Sequence, residues 1–154
     1  MADRIEKSVH IQAPVEVVWR MVTEPSQVVR WFADEIDLQA TPGYEGSMTF
    51  RPESGGTMRV PLRVESVEAP SRFTYRWNHP DGTAATPSNS MLVEFTLTPE
   101  DGGTRLRVVE TGHDGLGWPQ DQQDAYADEH NDGWSHHLAR IEQLFARRSA
   151  DAAS

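Results

Sequence analysis

The sequence predicts an α+β fold in which a curved antiparallel sheet of about six or seven strands wraps around one long C-terminal helix. Two patterns indicate this class. Apolar residues alternate with polar residues through much of positions 5–111, as they do in strands with one buried face, and from Asp121 onward they recur in steps of three or four. A large antiparallel sheet exposes an apolar face that a helix must cover, so the helix is expected to lie across the sheet.

The first three elements are a strand and two short helices. The strand has a period of two, with Ile5, Lys7, Val9 and Ile11 on one side. Pro14 stands at a favourable position for starting a helix, and Val15, Val18, Trp19 and Val22 follow at helical spacing. A second short helix is predicted over residues 26–32, ending in the aromatic pair Trp31-Phe32.

Residues 35–111 are typical of consecutive strands separated by turns. Alternating apolar positions mark strands near 36–38, 48–50, 58–64, 73–77, 91–97 and 106–108. Turn residues separate them at Thr41-Pro42-Gly43, 52–56, 78–89 and Asp101-Gly102-Gly103. The order of elements is therefore a strand, two short helices, a run of strands and a helix.

The last element is one long helix of roughly 28 residues, which would be about 42 Å long. Its apolar side is formed by Tyr126, His130, Trp134, Leu138, Ile141 and Phe145. We expect a single domain over residues 1–148 and a frayed tail over residues 149–154. Gly133 costs helix stability, so we expect the sheet or a ligand to approach the helix closely there.

Composition excludes several classes of function. The 154 residues contain no cysteine, so disulfides, thiolate nucleophiles and cysteine-bound zinc are excluded. The net charge of −10 disfavours binding to nucleic acid. The sequence predicts no membrane insertion and no secretory signal, because it has no long apolar run and its N-terminus is charged. A cytoplasmic location is expected, and the oligomeric state is left open.

Three segments resemble a known family. They are Val9 to Trp19, the pair Trp31-Phe32, and Asn131-Asp132-Gly133-Trp134 with Leu138. They are similar to the domain named for the activator of heat-shock protein 90 ATPase, in the START-like (SRPBCC, helix-grip) superfamily. That superfamily also contains polyketide cyclases, aromatases and lipid-transfer domains. The resemblance implies a helix-grip fold with a hydrophobic cavity between the sheet and the C-terminal helix, holding an apolar or aromatic small molecule or a lipid-like metabolite.

The expected ligand-binding residues combine this resemblance with large side chains on presumed inward faces. They are Trp31, Phe32, Met48, Met58, Tyr75, Trp77, Met91, Phe95, Trp118, Tyr126, His130, Trp134 and His137. Simple filling of the core is the alternative for each of them. Residues 112–119 contain three glycines and are expected to form an entrance loop.

Metal and cofactor sites are not expected. His130 and His137 lie two helical turns apart, about 10 Å along the axis, which is too far to share one ion. No glycine-rich pattern for phosphates is present. Candidate acid–base groups are Tyr75, Tyr126, His130, Asp128, Glu94 and Glu110, with Glu94 expected to point outward and Glu110 to lie near a strand end.

Two alternatives to ligand binding therefore remain. The first is a cyclase- or hydrolase-like enzyme, which requires a buried polar group with a shifted pKa. The second is a protein-interaction or chaperone-linked domain using the acidic face of the last helix. The eukaryotic activator has a separate N-terminal chaperone-binding domain, for which this sequence has no room. We assign no catalytic residue.

Overall fold

The computed structural model describes residues 4–51, 55–78, 90–112 and 119–153. Within these residues the elements run in the order β1 (Arg4–Ile11), α1 (Val15–Thr23), α2 (Pro25–Val28), β2 (Glu35–Asp37), β3 (Glu45–Phe50), β4 (Met58–Glu68), β5 (Arg72–Asn78), β6 (Ser90–Glu100), β7 (Gly103–Thr111) and α3 (Gln120–Ala153). The seven described strands form one antiparallel sheet in the order β1-β7-β6-β5-β4-β3-β2. This confirms the predicted α+β, helix-grip architecture.

One face of the sheet is almost entirely apolar. Because side chains alternate along a strand, residues that pair across strands in register share a face. One such row crosses five strands through Ile5, Glu110, Val93, Tyr75 and Val64, all of them buried. The row places a carboxyl group and a phenol among aliphatic side chains, so the buried face is not uniformly hydrophobic.

Helix α3 covers this face. Its buried side chains are Trp134, Leu138, Ile141 and Phe145, spaced by three or four residues as an apolar helical stripe requires. The helix has 34 residues and runs to Ala153, so it includes residues 149–153, which the sequence analysis assigned to a frayed tail. Three of these five residues are alanine, which favours helix.

Helices α1 and α2 position the aromatic pair that follows them. The indole nitrogen of Trp31 donates a hydrogen bond of 2.7 Å to the carbonyl oxygen of Met21 in α1. Trp31 and Phe32 are both buried, and their rings stack at 5.3 Å between centroids. The turn after α2 therefore carries both rings into the space between the sheet and α3.

Gly133 does not mark a close approach, contrary to the sequence analysis. A Cβ built on Gly133 would meet no other atom within 4 Å. Replacing Gly133 by alanine should therefore raise the free energy of unfolding by up to about 1 kcal/mol, because only the helical penalty of glycine is removed. Urea denaturation measures the change.

Gly46→Ala provides the opposite control for that measurement. A Cβ on Gly46 would lie 2.0 Å from the carbonyl oxygen of Asp37, so this variant is expected to lose stability. A loss of stability in Gly133→Ala would contradict the open surroundings of Gly133.

Candidate functional site

The unusual residue of the interior is Glu110, near the end of β7. It follows Leu106 and Val108 on the inward face of the strand, two residues apart each time, and its exposed fraction is 0%. A carboxyl group buried to this degree requires hydrogen bonds or charge partners. The position near the strand end, noted from the sequence, did not reveal this burial. The alternation with Leu106 and Val108 was the signal that could have revealed it.

Both oxygens of Glu110 have aromatic partners. The indole nitrogen of Trp77 donates to Oε2 at 2.7 Å, and Nδ1 of His130 lies 2.7 Å from Oε1. An ionised carboxylate only accepts hydrogen bonds, so Nδ1 is the protonated nitrogen that donates in this contact. These distances are typical of charge-assisted hydrogen bonds. The cluster thus joins β5, β7 and α3 through buried polar atoms.

Tyr75 adds an unsatisfied hydroxyl to the same region. It lies two strands from Glu110 in the same register row, with the small residue Val93 between them. Its hydroxyl is buried and has no hydrogen-bond partner among the residues that the structure describes. Burial raises the pKa of Tyr75 well above its ordinary value, and the negative charge of Glu110 raises it further. The hydroxyl therefore keeps its proton and is a potential donor.

Aromatic rings fill the space around these groups. Phe32 stacks on Trp134 with 5.1 Å between centroids and 15° between planes. Phe95 meets Trp134 edge to face at 5.8 Å, and Trp77 lies 5.8 Å from the same ring. Contacts of this kind stabilise a core beyond the area that they bury. Trp134 is the centre of the cluster and connects α3 to β5 and β6.

His137 lies one turn after Trp134 and packs against Phe32 edge to face at 4.8 Å. Its Nδ1 is 3.3 Å from the carbonyl oxygen of Trp31 and must donate in that contact. Burial lowers the pKa of His137 to about 4, helped by His136 and Arg140 and opposed by the hydrogen bond to Trp31. His137 is therefore neutral at pH 7.

This lowered pKa predicts a pH dependence of stability. Below a pH of about 6.5 the unfolded chain binds a proton at His137 that the folded chain does not bind until about pH 4. Stability should therefore fall as the pH drops from 6.5 to 4 and be unaffected by this group above 6.5. Because the side chain is partly exposed, we expect a loss of about 2 kcal/mol.

Urea denaturation across this pH range measures the effect of His137. His137→Leu should remove its share of the slope, whereas His136→Leu, at an exposed neighbouring position, should reduce the slope only slightly, because burial lowers the pKa of His137 more than His136 does. Equal slopes in the parent chain and in His137→Leu would contradict the assignment.

Most of the predicted ligand-binding residues come together here. The buried ones are Trp31, Phe32, Met48, Tyr75, Trp77, Met91, Phe95 and Trp134, and His130 and His137 are half-buried beside them. Met58 differs from the expectation of an inward residue, since 40% of it is exposed at the first position of β4. A strand end lies at the rim of the sheet, so the alternating pattern does not bury it. Trp118 and the side chain of Tyr126 lie outside the described residues.

The remaining acid–base candidates and the entrance loop have different outcomes. Glu94 points outward as expected and accepts a hydrogen bond of 2.6 Å from Arg72. Asp128 is exposed. Of the expected entrance loop, residues 113–118 lie outside the part of the chain that is described.

The interior beside Tyr75 is closely packed. A void of about 10 Å³ lies beside Tyr75, lined by Val22, Val28, Trp31, Phe32, Ile36, Leu38, Met48, Phe73, Tyr75 and Phe95. Such a volume holds about one water molecule, whereas ligand pockets usually measure about 300–1,000 Å³. This void alone is too small to be the cavity expected from the sequence.

A larger depression lies on the outside, between α1, α2 and α3. It measures about 350 Å³ and is lined by Val17, Arg20, Met21, Glu24, Gln27, Arg30 and Phe145. None of the predicted ligand-binding residues contributes to it. Among the described residues, no group of three or more His, Asp or Glu side chains is arranged to hold a metal ion. Within the same residues, no helix is long and apolar enough to cross a bilayer.

Comparison with known proteins identifies the family. The family model described as activator of Hsp90 ATPase homolog 1-like protein matches residues 12–146. The chain belongs to this family. The match begins just after β1 and extends into α3, so it includes Trp77, Glu110 and His130, which build the Glu110 cluster. No curated protein matches the chain.

Solved structures share the fold of this AHSA1-like chain. Protein MLL2253 from Mesorhizobium loti is 27% identical, with a TM-score of 0.71 over 94% of this chain and 97% of that chain. Protein BH1534 from Bacillus halodurans is 26% identical, with a TM-score of 0.66 over 92% and 96%. Protein NE0264 from Nitrosomonas europaea is 19% identical, with a TM-score of 0.76 over 97% and 99%. These names state no ligand or reaction, so the likeness concerns the fold.

Proposed function

We propose that this AHSA1-like chain is a cytoplasmic small-molecule binding domain whose ligand is apolar or aromatic and lies between the sheet and α3. The observation that carries the proposal is the buried Tyr75 hydroxyl that has no partner among the described residues, close to the buried carboxylate of Glu110. A core with phenylalanine and an aliphatic residue at these two positions would be more stable, so stability alone does not explain Tyr75 and Glu110.

The energetic argument is direct. A buried hydroxyl without a hydrogen bond costs about 1–3 kcal/mol, which is a large part of the stability of a small domain. Native proteins retain few such groups, and those that persist are often found at functional sites. A ligand that accepts a hydrogen bond from Tyr75 would remove this cost on binding. The energy regained would then add to the affinity for the ligand.

We infer that the ligand displaces side chains when it binds. The stacked rings of Phe32 and Trp134 join the turn after α2 to α3, and they bury apolar area that a flat aromatic ligand could cover in their place. Separation of these rings would open the space beneath α3. We therefore assign the ligand contacts to the buried aromatic and methionine side chains predicted from the sequence, and the opening to Phe32 and Trp134.

A thermal-shift screen with native mass spectrometry tests this function. A panel of neutral aromatic molecules should contain members that raise the melting temperature by about 5–10 °C at a concentration near 100 times Kd. The same members should give a one-to-one complex mass. A panel without any shift or any complex mass would contradict the proposal.

The contact between Glu110 and His130 favours a second candidate, an enzyme of the cyclase or hydrolase type. A buried carboxylate that holds one nitrogen of an imidazole is a common way to orient a histidine for proton transfer. Turnover of activated aryl esters tests it. His130→Leu should abolish turnover and His136→Leu should not, whereas equal rates in the two variants would contradict this candidate.

A further inference from the structure

The polar groups beneath α3 restrict the chemistry of the ligand. We propose that it is an uncharged aromatic molecule carrying one oxygen, a hydroxyl or carbonyl group, which accepts a hydrogen bond from Tyr75. This inference rests on the proposed binding function and specifies its ligand class. It follows from the hydroxyl of Tyr75, the charge of Glu110 and the aromatic surroundings of both.

The first step concerns the hydrogen that Tyr75 can donate. The phenol is 2% exposed, and its oxygen has no partner within the described part of the chain. A phenolic O–H group both donates and accepts hydrogen bonds. In an apolar interior, leaving its hydrogen without an acceptor costs free energy. An oxygen with a lone pair satisfies it, whereas an ammonium group has no lone pair and would leave the donor unmade.

The second step concerns charge. Glu110 is fully buried, and its negative charge acts on the Tyr75 hydroxyl two strands away. Adjacent strands are about 4.8 Å apart, so the two Cα atoms are separated by about 10 Å, with Val93 between them. A ligand carboxylate or phosphate placed at Tyr75 would be repelled by Glu110 across this separation, because the medium between them has low polarity. The acceptor on the ligand is therefore neutral.

The third step concerns shape. Tyr75 lines the void of about 10 Å³, together with Trp31, Phe32, Phe73 and Phe95. That volume accommodates about one oxygen-sized atom group, and the surrounding faces are flat rings. A planar aromatic body that replaces the stacking contact of Phe32 with Trp134 would place a single polar substituent beside Tyr75. A molecule with several polar substituents would leave the others buried without partners.

Three probes with the same ring system test this class: 2-naphthol, naphthalene and 2-naphthoate. Titration calorimetry on the full chain should give tighter binding for 2-naphthol than for naphthalene by about tenfold, the worth of one net hydrogen bond. The carboxylate probe should bind more weakly than both. This ranking needs no variant, so it does not depend on the folding of a mutant protein.

Tyr75→Phe assigns the preference to its residue. This variant should lose the preference for 2-naphthol over naphthalene. Tyr44→Phe is the matched control, because its hydroxyl contacts Asp37 on the exposed side, and it should behave as the parent chain. Circular dichroism verifies that both variants are folded.

The outcomes separate the two proposals. Equal affinities for 2-naphthol and naphthalene, a preference for 2-naphthoate, or an unchanged preference in Tyr75→Phe would overturn the inference and leave the binding function standing. Absence of binding by all three probes to the parent chain would overturn both.

Discussion

Replacing Trp134 by alanine is expected to lower the free energy of unfolding by about 3–5 kcal/mol, the usual loss when a buried tryptophan is truncated. The residue is 2% exposed and contacts Phe32, Trp77 and Phe95 at ring-centroid distances of 5.1–5.8 Å. Its removal opens a hole between α3 and the sheet that neighbouring rings refill only in part. Urea denaturation at pH 7 measures the loss.

The matched control is Trp19→Ala. Trp19 is half-buried and meets Phe73 edge to face at 6.1 Å, away from the contact between α3 and the sheet, so its truncation should cost less.

The Trp134→Ala variant should also bind naphthalene more tightly than the parent chain, since the space is already open and no stacked pair must separate. Weaker binding would argue against displacement of Trp134 as the route into the interior.

Replacing His130 by leucine should destabilise the protein by about 3–5 kcal/mol at pH 7, because it removes a hydrogen-bonding partner from a buried carboxylate. Nδ1 of His130 and Oε1 of Glu110 are 2.7 Å apart, and Glu110 has no exposed area. Part of the lost stability should be recovered when Glu110 is replaced as well. The double variant His130→Leu with Glu110→Leu should come within about 1–3 kcal/mol of the parent chain, since an apolar pair needs no desolvation of charge but leaves the indole N–H of Trp77 without its acceptor.

A double-mutant cycle with both single variants measures this asymmetry. If His130→Leu costs less than about 1 kcal/mol, the range of exposed polar contacts, the hydrogen bond to Glu110 contributes little to the stability of the fold. If the double variant is as unstable as His130→Leu alone, packing around His130 and not the carboxylate determines the loss.

The architecture could be predicted because its signals are local. The period of two in β1, the switch to helical spacing near α3, and the aromatic pair Trp31-Phe32 each depend on neighbours within a few residues. The same reasoning placed Trp134 and Leu138 on the covered side of α3, where they are buried. The exposure of Met58 was not predicted, because burial at a strand end depends on what lies beyond the sheet and not on the alternation of residues.

The polar site could be predicted only in part, because it depends on contacts between distant segments. Glu110, Trp77 and His130 come from β7, β5 and α3, and nothing in the spacing of the sequence indicates that their side chains meet. The spacing of Glu110 and Val108 does predict that they share one face of the strand. A glutamate near a strand end is usually solvated, however, so burial was not expected. The stacking of Phe32 on Trp134 could not be predicted either, because it depends on how side-chain volumes from two distant segments fit together.

The pairing of β1 with β7 has a consequence for synthesis of the chain. Arg4 pairs with Thr111 and Ile11 with Thr104. During synthesis, β1 therefore cannot pair until β7 has been made. At about 5–20 residues per second, ribosomes need roughly 5–20 s to supply that partner. During this interval β1 has no neighbour on either side, and the charges of Glu6 and Lys7 are suited to keep it from joining another nascent chain.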